Sequence, residues 1–135
     1  MLESNEDNAT MLQPISISLP SLPPNNPTYS QAVRLGNLIF VSGQLGMDPA
    51  TGALAEGIQA QTLQAINNIE TILKAAGASL SSVAKVTIFL TDFSLLREMN
   101  EVYAPRFAHR PAKTSVEINR LDRNALIEIE VVTGA

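Results

Sequence analysis

The stretch IQAQTLQAINNIETILKAAGASLSSVAKVTIFL, residues 58–90, carries the two patterns that decide the fold class. Its first part repeats apolar residues every three or four positions and closes on Gly77 as a C-cap, which predicts an amphipathic helix over 58–76. Its second part, Val83–Leu90, is rich in β-branched residues and predicts a buried strand. A helix followed closely by a buried strand indicates mixed α and β structure.

The segments on either side predict four more strands and a second helix. Apolar runs, the first two separated by the turn Gly36–Asn37, predict the strands Tyr29–Leu35, Leu38–Ser42, Thr114–Asn119 and Leu126–Val132. Asp92 or Ser94 can cap a helix that runs to about Tyr103, and Pro105 should end or kink it. The predicted core face of this helix is Leu95, Leu96, Met99 and Val102. The order β-β-α-β-α-β-β predicts an α+β domain, a mixed sheet with both helices on one face and an apolar open face that favours self-association.

Composition limits the classes of protein that the chain can belong to. It has 135 residues, 45% of them hydrophobic, which fits one domain, and the absence of Cys removes thiol nucleophiles and Cys-bound zinc. Five prolines before Thr28 predict an extended leader over 1–28, so that compact structure begins near Tyr29 and one domain fills 29–135. No apolar run is long enough to span a membrane, and the acidic N-terminus does not resemble a secretory signal, so the expected location is the cytoplasm.

The polar residues offer few candidates for chemistry. A net charge of −4 without a Lys/Arg run, and only six aromatic residues, argue against a nucleic-acid partner. The single histidine, His109, lacks a catalytic partner nearby and is expected to be an exposed surface group, and no spacing typical of a metal site occurs. Glu128 and Glu130 lie about 7 Å apart on one strand face, where the simpler interpretation is a solvated surface. Lys113 taken alone is most simply a surface cation.

Several colinear motifs between Tyr29 and Val132 nevertheless resemble the RidA (YjgF-type) family of imine deaminases. Each motif is weak alone, but the series covers nearly the whole predicted domain. The matching stretches are YSQAV (29–33), GNLIFVSGQ (36–44), DPATG (48–52), QT (61–62), KVTIFL (85–90), NEVY (100–103) and IEIE (127–130).

This resemblance implies a chorismate-mutase-like fold, assembled as a homotrimer with three clefts between subunits. It also implies hydrolysis of reactive 2-enamino and 2-imino acids, such as 2-aminoacrylate and 2-iminopropanoate, to 2-keto acids and ammonia, without a cofactor or a metal. By the same resemblance Glu128 orients the attacking water. The residues it places in the substrate cleft are Tyr29, Ser42, Gly43, Asn100 and the backbone at Ser115.

One position departs from the family pattern. Active members carry an arginine in Pro-Ala-Arg-Ser/Thr, whereas this chain has Lys113 in PAKT (111–114). Lysine keeps the charge but loses the two parallel hydrogen bonds that arginine makes to a carboxylate. Arg110 is expected to face the opposite side of an extended segment and so not to compensate.

The departure leaves three hypotheses open. The first is a deaminase weakened by Lys113, and the second is a non-catalytic trimer that binds small carboxylates such as 2-keto acids. Some relatives have been described as ribonucleases or translation inhibitors, but the sequence gives this third hypothesis poor support because it has neither a basic run nor a histidine pair.

Overall fold

The computed structural model describes residues 13–22 and 26–135, which form one mixed sheet covered by two helices. The strands are β1 (Ile15–Ile17), β2 (Ala32–Leu35), β3 (Leu38–Leu45), β4 (Val83–Leu90), β5 (Ala112–Glu117) and β6 (Ile127–Gly134), and the helices are α1 (Ile58–Ala75) and α2 (Leu96–Arg106). The strand order across the sheet is β1-β2-β3-β6-β4-β5. All neighbours are antiparallel except β4 and β5, which are parallel. The predicted α+β fold with a mixed sheet is confirmed.

The core lies between the helices and one face of the sheet. In β6, Ile127, Ile129 and Val131 are buried and alternate with the more exposed Glu128 and Glu130, as the sequence predicts. Their buried face meets α1, whose fully buried residues include Ile66, Ile69, Ile72 and Leu73. The opposite face of the sheet carries exposed apolar side chains, including Leu38 and Phe40.

The second helix differs in detail from its prediction. The Asp92 carboxylate accepts a hydrogen bond from the Ser94 amide at 2.8 Å, and a short 3₁₀ turn precedes α2. Hydrogen bonding by the Ser94 side chain, and secondly by its backbone, lowers the Asp92 pKa. The helix continues past Tyr103 and includes Pro105 in its last turn. Its buried residues are Met99 and Tyr103, one turn apart, whereas Val102 is only half-buried. The prediction therefore missed Tyr103 as a core residue.

Several strand boundaries also differ from their predictions. Strand β2 begins at Ala32 rather than Tyr29, and β5 ends at Glu117 rather than Asn119. Long-range pairing extends other strands, as where pairing with β6 carries β3 beyond the predicted Ser42 to Leu45. Strand β5 begins at Ala112, two residues before the predicted start, where it pairs with Lys85 of β4. Strand β6 continues to Gly134 through pairing with β3. Lys113 is therefore part of the sheet rather than of the loop before it.

Structured chain begins earlier than Tyr29, within the predicted leader. Strand β1 pairs antiparallel with β2, and Leu22 is buried in the core. The Gln31 side chain fixes this segment, since its oxygen accepts from the Leu19 amide at 2.6 Å and its nitrogen donates to the Leu19 carbonyl at 3.1 Å. The remaining leader residues, 1–12 and 23–25, lie outside the described residues. No helix in the described parts of the chain is long and apolar enough to cross a membrane.

Candidate active site

Glu128 lines an open cavity of about 370 Å³ on the sheet face away from the helices. It lies on β6 beside the C-terminal half of β3, where the pairing register shifts between Val41 and Gln44. This bulge takes Ser42 and Gly43 out of the regular ladder and turns them toward the cavity. The residues that line it are Tyr29, Ser42, Gly43, Leu45, Asp122, Glu128 and Glu130. Four of the predicted site residues are therefore together.

Gly43 makes room for the Glu128 carboxylate. A Cβ atom placed on Gly43 would lie 1.9 Å from Glu128 Oε1 and 2.6 Å from its Cδ, far inside van der Waals contact. Only glycine at position 43 therefore permits this placement of the carboxylate. The glycine that the resemblance assigned to the cleft has a direct physical role in it.

The Glu128 carboxyl has a raised pKa. Partial burial is the largest cause, and the negative charges of Glu130 and Asp122 add to it. Each of these effects disfavours the ionised form, so Glu128 holds a proton more readily than an ordinary surface carboxyl. Such a group can accept a proton from water and return it within one reaction.

Ser42 and Tyr29 play different parts at the cavity. The Ser42 hydroxyl donates to the Ser30 carbonyl at 2.6 Å, and the Ser42 amide donates to the Gln31 carbonyl at 2.9 Å. These bonds anchor the bulge to the segment before β2. Tyr29 is half exposed, and its ring is available to a ligand in the cavity.

Lys113 lies on the other face of the sheet, against α2. Its ammonium donates to Asn100 Oδ1 and lies 4.3 Å from the centre of the Tyr103 ring. Burial lowers the Lys113 pKa. Asn100 and Tyr103 are three residues apart on one helix face, which is why both reach the same lysine. Ser115, two residues beyond Lys113 on the edge strand β5, lies on the same strand face.

The predicted site residues therefore form two groups on opposite faces of the sheet. Strand β4 separates them, with Glu128 opposite Phe89 and Lys113 opposite Val86. Lys113 and Glu128 are separated by two strand spacings across the sheet and by three residues along β4, so their Cα atoms lie about 14 Å apart. A three-carbon acid cannot touch both side chains of one chain.

The structure corrects one expectation about this region and adds two residues to it. Arg110 was predicted to face away from Lys113, but both line one cavity, because Arg110 adopts a left-handed backbone (φ 58°) that breaks the extended geometry. Sequence reasoning missed Tyr103, which continues the helix face of Asn100, and Asp122, which no local pattern connects to Glu128.

His109 is exposed, as predicted, and its Nε2 forms a hydrogen bond with the Val83 carbonyl oxygen at 2.8 Å. No group of three His, Cys, Asp or Glu side chains that could hold a metal ion occurs in residues 13–22 and 26–135.

Comparison with known proteins gives the family. The family model described as endoribonuclease L-PSP matches residues 21–134. A RutC family protein of Pyrococcus horikoshii is 48% identical over 106 residues, 77% of this chain and 84% of that protein. A 2-iminobutanoate/2-iminopropanoate deaminase of Salmonella typhimurium is 37% identical over 108 residues, which cover 77% of this chain and 84% of that protein. The crystal structure of RidA from the Antarctic bacterium Psychrobacter sp. matches with a TM-score of 0.85 at 39% identity, covering 90% of this chain and 99% of that one. The chain therefore belongs to the endoribonuclease L-PSP family, the RidA (YjgF-type) proteins, a family that includes reactive-intermediate deaminases.

Proposed function

We propose that this protein hydrolyses reactive 2-enamino and 2-imino acids to 2-keto acids and ammonia. The observation that carries the proposal is the Glu128 carboxylate, raised in pKa and seated against Gly43 in an open cavity. Family membership supports it, since a relative 37% identical is named a 2-iminobutanoate/2-iminopropanoate deaminase.

The chemistry asks little of the protein. The carbon of a C=N bond is already electrophilic, so a water molecule held against it needs only a base to take its proton. Glu128 accepts that proton as the C–O bond forms and delivers it to nitrogen. The hydroxyl proton of the resulting carbinolamine then passes through Glu128 to nitrogen, and ammonia leaves as the C–N bond breaks and the C=O bond forms. A raised pKa suits both proton transfers, because it makes the Glu128 carboxylate a stronger base than an ordinary surface carboxylate.

The substrate carboxylate requires a cation, and Lys113 is the residue we assign to it. Asn100 and Tyr103 hold its ammonium from the helix side. Compared with the family arginine, lysine loses one charge-assisted hydrogen bond, at a cost of about 1.5–3 kcal/mol, or roughly ten- to a hundredfold in binding. We therefore expect a weaker hold on substrate than in relatives that carry arginine.

A working site needs at least two copies of the chain, because Glu128 and Lys113 occupy opposite faces of one sheet. We propose a homotrimer in which Lys113 of one copy meets Glu128 of its neighbour. Exposed apolar side chains on the open face of the sheet, such as Leu38 and Phe40, supply contact area for the assembly. Native mass spectrometry should give three times the chain mass, and Phe40→Asp should give folded monomers without activity.

Activity is tested by adding the protein to a dehydratase that acts on serine or threonine. We expect faster release of keto acid, with loss of the acceleration in Glu128→Gln and in Lys113→Met. Lys74→Met is the matched control, since that lysine is exposed and its ion pair with Glu70 is solvated. No acceleration at any excess of protein would contradict the proposed function.

Co-expression of the two inactive variants tests whether the site is shared. In a mixed ring, a cleft can combine Lys113 from a Glu128→Gln chain with Glu128 from a Lys113→Met chain. Random assembly of equal amounts leaves about one quarter of the clefts intact, so about one quarter of the activity should return. A site within one chain would recover none.

A non-catalytic trimer that binds small carboxylates is the second candidate, and Lys113 is the feature that favours it. Calorimetry with pyruvate or 2-ketobutyrate, run beside the turnover assay, separates the two. Lys113→Arg should raise turnover if the protein is a deaminase and leave it at zero if it only binds.

A further inference from the structure

The surroundings of Lys113 differ from those of an ordinary surface lysine. Its amine contacts a neutral amide and an aromatic face, and no ion pair in residues 13–22 and 26–135 involves it. The other two lysines are bound differently. Lys74 pairs with Glu70, and Lys85 donates to the Thr114 hydroxyl. Lys113 is thus the lysine held by neutral, partly apolar contacts.

A cavity of about 380 Å³ lies beside this amine, large enough for a small organic acid. Its lining includes Tyr103, Phe107, Arg110, Pro111 and Lys113. Apolar groups exclude water from part of it, and Arg110 supplies a second positive charge that suits a carboxylate. A lysine desolvated in a partly apolar setting is one arrangement that activates amines toward carbonyl compounds.

One of the residues that line the cavity carries a buried donor without a partner. Tyr103 is 6% exposed, and its hydroxyl has no hydrogen-bond partner among the described residues. Burial raises the Tyr103 pKa to about 12, so the hydroxyl stays protonated and able to donate. Buried polar groups are rarely left unpaired, so this hydroxyl is an unsatisfied donor on a residue that lines the cavity.

We propose that Lys113 forms a reversible ketimine with 2-keto acids in this cavity, with Arg110 holding the carboxylate. The neutral amine attacks the keto carbon, and the C–N bond forms as the carbonyl oxygen takes a proton. Loss of water then breaks the C–O bond and leaves C=N between Lys113 and the acid. Water reverses the sequence. With a 2-imino acid, the same attack expels ammonia in place of water.

Lysine makes this mode possible where arginine does not. A guanidinium stays charged and has no nucleophilic amine, whereas a desolvated lysine amine loses its proton more easily. The lowered Lys113 pKa therefore increases the reactive fraction. The inference rests on the proposed function only for the class of carbonyl compound that binds. The two roles of Lys113 are compatible, because the ammonium that would hold a substrate carboxylate and the amine that would attack a carbonyl carbon are two protonation states of one side chain.

Borohydride trapping tests the inference on the full-length protein with pyruvate as the probe. Reduction fixes a ketimine as a stable secondary amine, which adds the mass of pyruvic acid less one oxygen atom. We expect peptide mapping to find this adduct on Lys113, to lose it completely in Lys113→Arg, and to retain it in the control Lys85→Arg. Circular dichroism checks that each variant is folded, and the mapping of the wild-type chain stands without any variant.

The outcomes separate this inference from the proposed function. Equal labelling of all three lysines would overturn it, because that is general amine reactivity. An unlabelled Lys113 in a protein that accelerates keto-acid release would also overturn it while leaving the deaminase standing. A Lys113 adduct in a protein without that acceleration would support covalent capture of keto acids and contradict deamination.

Discussion

Gly43→Ala tests whether the close approach of glycine to Glu128 sets the rate of the proposed reaction. The added Cβ would lie 1.9 Å from Glu128 Oε1, and ordinary contact begins near 3.4 Å, so the carboxylate must retreat by about 1.5 Å. A misplacement of about 1 Å can reduce a rate about a hundredfold. We therefore expect kcat for imine hydrolysis to fall about a hundredfold.

Stability should change far less than activity. Gly43 is not among the glycines with a left-handed backbone, so alanine fits its conformation. The group that must move is the end of a flexible side chain, and an off-rotamer Glu128 costs about 0.5–1.5 kcal/mol. Thermal melting should show a small loss, and this loss should disappear in the Glu128→Ala background because the clash is gone.

The dehydratase assay measures the effect, with Gly134→Ala as the matched control. A Cβ on Gly134 would meet no atom within 4 Å, so this variant should match the wild type in rate and melting temperature. Turnover of Gly43→Ala within about twofold of wild type would refute the reasoning, since a 1 Å displacement should cost far more. A stability loss that persists in Glu128→Ala would refute it too, because the clash would then lie elsewhere.

Three further predictions concern the same groups. Glu130→Gln removes a negative charge that raises the Glu128 pKa, so the acid limb of the pH profile of kcat/KM should move to lower pH. Because the burial of Glu128 remains, its pKa should stay above that of a free carboxyl. Glu128→Gln should raise the melting temperature at neutral pH, since a raised folded pKa means that stability is lost as Glu128 ionises. That gain should vanish in acid, where both states are protonated, and its absence at neutral pH would contradict the pKa assignment. Tyr103→Phe removes a buried hydroxyl without a partner and should add about 1 kcal/mol to the free energy of unfolding in urea titrations; a clear loss would mean that the hydroxyl is bonded.

Local patterns were sufficient for much of the fold. The turn Gly36–Asn37, helix α1, strand β4 and the alternation of β6 all follow from residues close in sequence, and each lies where it was predicted. Strand β1 was missed because its three residues are mostly exposed and gain order only by pairing with β2. Pairing between distant segments leaves no periodic signature in so short a run.

The sequence grouped the candidate site residues without giving their geometry. The motifs grouped Glu128 with Gly43 and Ser42, and the β3 bulge brings these together. That Lys113 lies on the opposite face follows from the register between β4 and β5, which a one-residue slip would reverse. The direction of Arg110 follows from a single left-handed residue, a conformation that arginine rarely adopts.

The exchange of arginine for lysine at position 113 changes two properties through one cause. Packing against Tyr103 and Asn100 removes water from the amine, which weakens its hold on charge and increases its neutral fraction. The first effect costs affinity for a carboxylate, and the second creates a nucleophile that arginine lacks. Because both follow from the same burial, a variant that exposes Lys113, such as Tyr103→Ala, should move them in opposite directions: a rehydrated amine keeps its proton more firmly, so carboxylate binding should strengthen and ketimine formation should weaken.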